Sequence, residues 1–301
     1  MCDLKRALKA LDIAEEQLLE NEPMSKHTTF RVGGPAELMF FPKSAEEVTA
    51  ALTVAKTVGV QAMSIGNGSN LVVRDGGIRG LVIVLGERFA DIRVDGTRLL
   101  AEAGASLAKV AATAQENGLA GLEFASGIPG TLGGGCAMNA GAYDGQISDV
   151  LESADVLLNG EIRTLSREEM RMGYRTTLPL TEGGIVLRAA FALKKDDPEA
   201  ILARMKDYNA RRREKQPLNL PSAGSVFKRP EGHFAGALIE QCGLKGRRVG
   251  GAQVSEKHAG FIVNTGGASA ADIIGLIALI QETVFAQTGV RLEPEQRIIG
   301  E

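Results

Sequence analysis

Apolar residues recur at helical spacing near the start of the chain. Leu4, Leu8, Leu11 and Leu18 stand among charges, and the spacing predicts an amphipathic N-terminal helix over 4–19. From Leu38 the pattern changes. Ser44-Ala45-Glu46-Glu47 reads as a capping box opening a helix with Val48, Leu52 and Ala55 on its apolar side, closing before Gly59. Strands are predicted over 61–65, 81–85 and 99–103, and a helix over 107–117 ended by Gly118. Strand and helix therefore alternate through the first part of the chain, an α/β signature. The stretch 121–145 breaks the pattern: it holds eight glycines and neither helical nor strand period. Such a stretch inside a compact chain is usually functional. Beyond it, 154–158 and 161–164 flank Asn159-Gly160, a two-residue hairpin signal, and 184–193 reads as a strand. The charged segment 194–198 marks a boundary, with Asp197 and Pro198 opening a helix over 198–213. A loop at 221–225, a short helix at 235–242, a strand at 260–263 and a helix at 270–287, opened by Ser269 and closed before Gly289, complete the pattern.

Composition narrows the function classes. The 301 residues leave room for two domains and a sizeable core. With 34 basic against 37 acidic side chains the net charge is −3, which excludes a strongly basic nucleic-acid binder. There is no Trp and only three Tyr, so an aromatic platform for bases or sugars is not expected. Cys2, Cys136 and Cys242 form no CxxC pair, and His27, His233 and His258 lack ligand spacing; neither a disulfide framework nor a metal site is expected. The start carries charges throughout, unlike a signal peptide, and apolar runs such as 273–280 fall short of the roughly 20 residues a membrane span needs. The expectation is a reduced, cytoplasmic protein with no membrane insertion and no nucleic-acid partner.

Two glycine-rich segments carry candidate chemistry. Gly66-Asn67-Gly68-Ser69-Asn70 and Gly127-Ile128-Pro129-Gly130-Thr131-Leu132-Gly133-Gly134-Gly135 both expose backbone N–H groups that can form an anion nest. Each alone reads first as a plain turn; two in one α/β domain suit a diphosphate. Neither is a GxGxxG or a GxxxxGK[ST], which disfavours Rossmann and P-loop assignments.

The string Gly121-Leu-Glu-Phe-Ala-Ser-Gly-Ile-Pro-Gly-Thr-Leu-Gly-Gly-Gly-Cys-Ala-Met-Asn-Ala-Gly-Ala-Tyr143 resembles the flavin-binding loop of the UDP-N-acetylenolpyruvoylglucosamine reductase (MurB) family. So do His27-Thr-Thr-Phe-Arg-Val-Gly-Gly34, Gly66–Asn70, Tyr174-Arg175, Pro221-Ser-Ala-Gly-Ser-Val-Phe-Lys-Arg-Pro230, the segment 251–264 and Glu293-Pro294-Glu295. These matches run in order along nearly the whole chain. The resemblance implies a two-lobed FAD-binding domain of the vanillyl-alcohol-oxidase/PCMH type plus a C-terminal α+β substrate domain, an α+β / α/β fold. The implied division is an N-terminal helix over 1–24, an FAD-binding domain over 25–194 with lobes at about 25–75 and 76–194, and a substrate domain over 195–301. The last strand is a candidate to pack back on the first lobe. The resemblance also implies non-covalent FAD, NADPH as co-substrate, a UDP-sugar substrate and a role in peptidoglycan precursor synthesis. The oligomeric state is not legible, and a monomer is favoured. The short segment 175–184 matches the subtype without the inserted substrate-closing loop. Gly135, Cys136 and Thr177 depart from the family pattern, where Ala, Val and Ser are expected.

Reducing an enolpyruvyl ether calls for a cation near the carboxylate, a second polar stabiliser and a positioned proton donor. Read alone, Arg175 is a solvated Arg after a turn, Ser225 a turn residue, and Glu295 a surface carboxylate with Glu293 as a close decoy. The resemblance assigns Arg175 and Glu295 to stabilising the developing charge and Ser225 to donating the proton. It places cofactor contacts at Gly66, Asn67, Gly68, Ser69 and Asn70, at Gly127, Ile128, Pro129, Gly130, Thr131 and Gly134, and at Asn139, Ala140 and Gly141. Arg212, Lys215, Arg229 and Tyr143 are weaker candidates for the substrate; for the cations a solvated helix end is the competing reading. His258 reads as a hydrogen-bonded structural residue. Two alternatives stay open: another FAD-dependent oxidase or dehydrogenase of the same fold group, and a non-catalytic flavin-binding protein.

Overall fold

The computed structural model describes residues 2–301, without the side chains of Cys2 and Asp3; Met1, the first residue of the expected N-terminal helical segment, lies outside the described residues. The chain forms two compact units. One comprises residues 1–19, 38–67 and 80–212, the other 20–37, 68–79 and 213–301. The expected division cuts the chain into consecutive segments, after residues 24 and 194. The compact units instead interleave, and most of the helix that begins at Pro198 clusters with the first unit.

The first unit has two cores. In one, α1 (Cys2–Lys9) and α2 (Ala45–Thr57) bury Leu4, Leu8, Val48, Ala51 and Ala55. These join the parallel strands Ala62–Ile65 and Ile78–Val84, paired Ala62 to Leu81 through Ile65 to Val84. The helix expected over 4–19 stops at Lys9. Asp12 turns left-handed (φ 58°), a 3-10 turn covers Glu15–Gln17, and a strand runs from Leu18 to Pro23. Leu4, Leu8 and Leu18 are still buried, while Leu11 is 45% exposed. The apolar spacing thus reported burial correctly at three of the four leucines and helix length wrongly. Only half of the capping box at Ser44 forms. The Ser44 hydroxyl accepts the Glu47 N–H at 3.3 Å, but the Glu47 carboxylate accepts from the Lys43 N–H (2.7 Å) and the Gln17 amide (2.8 Å).

The other core lies on a five-stranded antiparallel sheet, in the order Glu161–Ser166, Leu151–Leu158, Ile185–Ala192, Arg98–Glu102, Ile92–Asp95. The Asn159-Gly160 turn has positive φ at both residues (55° and 90°), which matches a tight two-residue hairpin. Helix α3 (Leu107–Glu116) starts at Ser106, whose hydroxyl accepts the Lys109 N–H, and buries Leu107, Val110, Ala111 and Ala114 at the 3–4 spacing of one face. The 121–145 stretch is not devoid of helix: α4 (Leu132–Ala137) lies inside it. Three glycines make a poor helix by propensity. Packing overrides this, because a Cβ on Gly133 would lie 2.8 Å from Ala103 Cβ, and one on Gly135 would lie 3.0 Å from Leu107 Cδ1. The short helix α5 (Leu178–Glu182) and the helix α6 (Pro198–Lys215) complete the helices that begin in this unit.

In the second unit α7 (Ala235–Gln241) and α8 (Ala270–Thr288) pack with the small antiparallel sheet Arg248–Val249, Ala252–Val254, Ile262–Asn264. Ser269 caps α8 as expected, Asp272 completes the box, and Gly289 ends the helix left-handed (φ 73°). Asp75 adds its carboxylate, accepting the N–H groups of Ala270 and Ala271. Among the described residues α8 is the one helix long and apolar enough to cross a membrane by length and composition. Its Ile273, Leu276, Ile277, Ile280 and Val284 are buried in this unit's core, and each contributes roughly 1.5–3 kcal/mol by burial. The last strand, Arg297–Ile299, pairs in parallel with Leu71–Val73, within the stretch expected as the first lobe.

Candidate functional site

In the first unit the two glycine segments meet. Gly66 follows the strand Ala62–Ile65, and a Cβ added to it would lie 2.1 Å from Thr131 Oγ1. Only glycine leaves that space. The second segment is pinned by main-chain bonds: Leu107 N–H to Gly130 O (3.0 Å), Leu132 N–H to Ala105 O (2.8 Å) and Gly133 N–H to Ala103 O (2.9 Å). Thr131 is 2% exposed, and its hydroxyl has no hydrogen-bond partner among the described residues. A hydroxyl left so costs about 1–3 kcal/mol. A bound acceptor at this point removes the cost.

Arg212 is a second such group. It is 9% exposed, its Nε lacks a partner among the described residues, and its guanidinium lies 5.8 Å from the Tyr143 ring centre. A Cβ on Gly127 would approach that Nε to 2.9 Å. Arg212 is therefore no solvated helix end, unlike Arg211, which is exposed and pairs with Asp207. Tyr143 and Asp144 are both left-handed (φ 51° and 62°), turning the chain between Gly141–Ala142 and Gly145–Gln146. Tyr208 of α6 stacks on Tyr143, rings 4.8 Å apart and nearly parallel.

Asn139 has its side chain fully engaged. Its amide donates to Gly173 O (3.1 Å) and to Gln146 Oε1 (3.3 Å), and its oxygen accepts the Ser148 N–H (3.0 Å). Its main-chain N–H is also engaged, donating to Cys136 O (3.2 Å). Arg175 occupies a turn in which Gly173 and Thr176 exchange main-chain bonds, and its φ is +55°. An arginine there is strained, which is a frequent mark of a functional position. Its guanidinium lies 5.3 Å from the Tyr174 ring centre.

Ser225 and Glu295 belong to the second unit. The Glu295 N–H donates to Val226 O at 2.7 Å, and the Val226 N–H donates to Gly260 O at 2.9 Å. Ser225 is exposed, and Glu295 is half-buried. The neighbouring Glu293 is exposed and forms an ion pair with Lys228. Gln296 is buried; its amide donates to Ala223 O (3.1 Å) and Gly224 O (3.4 Å), just ahead of Ser225, where Gly224 is left-handed (φ 75°). Asn70 donates its amide to Glu295 O (3.0 Å) and accepts the Arg297 N–H (3.0 Å). Its side-chain donation thus reaches the C-terminal segment. Gly68, also in this unit, is left-handed, and a Cβ on it would lie 2.2 Å from His27 O. Lys215 and Arg229 are exposed, with Arg229 over the Phe234 ring at 4.1 Å. His258 Nδ1 accepts the Gly260 N–H (3.1 Å), and burial holds its pKa below the usual histidine value. It is a structural histidine.

Three residues escaped the sequence reading as contributors: Thr177, Gln296 and Tyr208. Thr177 left a usable signal, since Thr before Leu-Pro is a helix-cap pattern, and Thr177 does cap α5. Gln296 and Tyr208 left none, because their partners are far away in the chain.

Residues 36–166 match the FAD binding domain family, and residues 216–299 match the family described as UDP-N-acetylenolpyruvoylglucosamine reductase, C-terminal domain. The chain is 49% identical over 302 residues to the UDP-N-acetylenolpyruvoylglucosamine reductase of Alkaliphilus oremlandii, covering 99% of each chain. It is 52% identical over 288 residues to that of Pediococcus pentosaceus, covering 95% of this chain and 96% of the relative. Among solved structures, UDP-N-acetylenolpyruvylglucosamine reductase from Thermus caldophilus matches with a TM-score of 0.81 at 36% identity, over 93% of this chain and 98% of that one. An alkyldihydroxyacetonephosphate synthase, 19% identical with a TM-score of 0.51 over 65% of this chain and 41% of its own, shares the fold alone.

Proposed function

The chain belongs to the UDP-N-acetylenolpyruvoylglucosamine reductase family, and on that premise we propose that it uses NADPH and non-covalent FAD to reduce UDP-N-acetylglucosamine enolpyruvate to UDP-N-acetylmuramate, a peptidoglycan precursor, in the cytoplasm. The observation that carries the cofactor reading is the cradle between Gly66 and Thr131: a buried, unpartnered hydroxyl faces a position that only glycine can occupy. These residues fit an FAD diphosphate, with Thr131 Oγ1 and the backbone of Gly66, Asn67 and 127–131 as its holders. Non-covalent attachment is supported by Cys136, the only thiol in the glycine segments. Burial pushes its pKa up to about 12, so it is not a nucleophile at neutral pH. When bound, the flavin supplies hydride chemistry that no side chain has.

The chain's own residues do the rest. Arg175 is permanently charged and planar, suited to hold the enolpyruvyl carboxylate. Glu295, as its neutral acid, can donate a hydrogen bond to the enolate that develops beside that carboxylate. Ser225 donates its Oγ proton to the carbon bearing the carboxylate; a hydroxyl is a weak acid, so the basicity of that carbon drives the transfer. Arg212, Lys215, Arg229 and Tyr143 serve the substrate and its phosphates, with Arg212 the strongest of them because its charge is buried and its Nε is unpartnered.

An anaerobic titration tests the reading. NADPH should bleach absorbance near 450 nm, and the enolpyruvyl substrate should restore it. A protein that binds FAD but exchanges electrons with neither would refute it. Gly66→Val should abolish flavin retention, read as the flavin-to-protein ratio after gel filtration, because the added methyls collide with Thr131.

A further inference from the structure

The Arg175 turn is fastened to a remote segment of the first unit by two side-chain bonds, one donated by that segment and one by the residue that follows the turn. On one flank, the Asn139 amide donates to Gly173 O at 3.1 Å. On the other, the buried Thr177 hydroxyl donates to Ala137 O at 2.7 Å, and the same oxygen accepts the Leu180 N–H at 3.4 Å as the cap of α5. Ala137 and Asn139 are two residues apart at the end of the glycine-rich stretch, so both flanks of a four-residue turn are fastened to one short segment. Between the fasteners Gly173 and Thr176 exchange main-chain bonds (2.9 and 3.4 Å), which leaves Tyr174 and Arg175 as the two residues at the tip.

The tip explains the clamp. The third position of such a turn needs φ > 0 and ordinarily carries Gly or Asn. Here it carries arginine at φ +55°, a conformation disfavoured for a residue with a Cβ. A strained residue persists only where its surroundings over-determine it. Relaxation to negative φ would swing the side chain to a different direction, so the bonds that keep the turn closed also aim the guanidinium. The same anchoring ties that aim to the C-terminal end of α4 and the residues just after it.

We propose that Asn139 and Thr177 are positioning residues for Arg175, acting by holding its turn in the left-handed conformation. The proposal rests on the reading that Arg175 holds the enolpyruvyl carboxylate. Thr177→Val keeps the side chain's shape and deletes the hydroxyl; Thr177→Ser keeps the hydroxyl. Asn139→Asp keeps the acceptor for Ser148 and turns the donor to Gly173 O into a repelling oxygen.

The test uses FAD-loaded protein reduced anaerobically with dithionite and mixed with UDP-N-acetylglucosamine enolpyruvate, with reoxidation followed at 450 nm. Thr177→Val and Asn139→Asp should each slow reoxidation by about tenfold or more, since small misplacements of a catalytic group carry costs of that order. Thr177→Ser should restore the parent rate. In an Arg175→Ala background, Thr177→Val should add less than about a twofold further change, because the residue through which it acts is gone. An equal slowing in both backgrounds would mean a general structural role and overturn the proposal, as would parent-like rates for both variants. If neither variant retained flavin, the two residues would serve the cofactor segment and the proposal would fall. If Arg175→Ala itself reoxidised normally, the reading of Arg175 would fail first, a result distinct from failure of the clamp alone.

Discussion

Arg175 sits in a turn whose flanks are fastened by two side chains, Asn139 and Thr177. Ser225 and Glu295 sit on segments joined mainly through the backbone: Val226 N–H to Gly260 O, Glu295 N–H to Val226 O, Lys228 N–H to Glu293 O. A main-chain ladder survives most substitutions, because every residue but proline supplies the same groups. A side-chain clamp is lost with one hydroxyl or one amide. The first region should therefore lose alignment through changes at residues that touch no substrate, and the second should lose function chiefly through the reacting groups themselves.

The largest expected effect is at such a reacting group. Ser225→Ala removes the proposed proton donor and leaves the ladder intact, so flavin reduction by NADPH should stay near the parent rate. Reoxidation by the enolpyruvyl substrate should fall by about 10²–10⁴-fold, roughly 3–5 kcal/mol. Stopped-flow at 450 nm reads both steps. Equal slowing of both would show that Ser225 shapes its loop, and would break the contrast with Arg175.

Gln296 is the point at which the second region also relies on a side chain. Its amide holds the Ala223 and Gly224 carbonyls, while its own oxygen is buried without a partner among the described residues. Gln296→Leu deletes two donations but also removes that unpaired oxygen. The expected loss is about 1–2 kcal/mol in urea unfolding, with reoxidation slowed less than by Thr177→Val. A larger loss of rate than Thr177→Val causes would place the more fragile alignment in the second region.

Smaller still is the difference between two carboxylates. Glu293 pairs with Lys228 at the surface, and such pairs contribute about 0–1 kcal/mol. Glu293→Gln should leave both half-reactions within about twofold of the parent, while Glu295→Gln should slow reoxidation alone. Reversed outcomes would move the assignment two residues along the chain.

The contrast between the regions also describes what could be read from the chain. Helix α8 was legible because its cap, period and terminal glycine agree, and the Asn159-Gly160 hairpin because the turn chemistry is local. Helix α4 was not, because its glycines answer to Ala103 and Leu107 and not to helix propensity. The N-terminal helix was over-extended because Leu18 keeps the apolar spacing while belonging to a strand. The interleaved units leave no composition shift for a linear reading to find. Arg175, Ser225 and Glu295 were reachable only through resemblance. What holds them, Asn139 across 34 residues and Gln296 across 72 and 73, is a matter of contacts that no local spacing encodes.

The smallest effect expected is a pH dependence that acts on the second region alone. His258 accepts the Gly260 N–H through Nδ1, and Gly260 O accepts the Val226 N–H, so the ring supports the ladder next to Ser225. Burial lowers its pKa, and the charge of Lys245 pushes the same way, against an interaction of the ring with its own backbone and the Glu240 carboxylate. A histidine whose folded pKa lies below its unfolded value binds its proton more readily when unfolded. Its stabilising contribution is therefore complete above the unfolded value of about 6.5 and is lost as pH falls from there through the folded pKa. Protonation also takes away the lone pair that Gly260 uses. Urea midpoints between pH 7 and pH 5 should fall, and His258→Gln, which keeps a neutral acceptor, should flatten that slope. The carboxylates with lowered values, Glu22 and Asp272 among them, keep their stabilising contribution across this range and lose it only as pH falls below their unfolded values of about 4. The Arg175 clamp contains no group that titrates in this range, so the coupling between Thr177 and Arg175 should be the same at pH 7 and pH 5.5. A slope unchanged by His258→Gln would detach the histidine from the ladder.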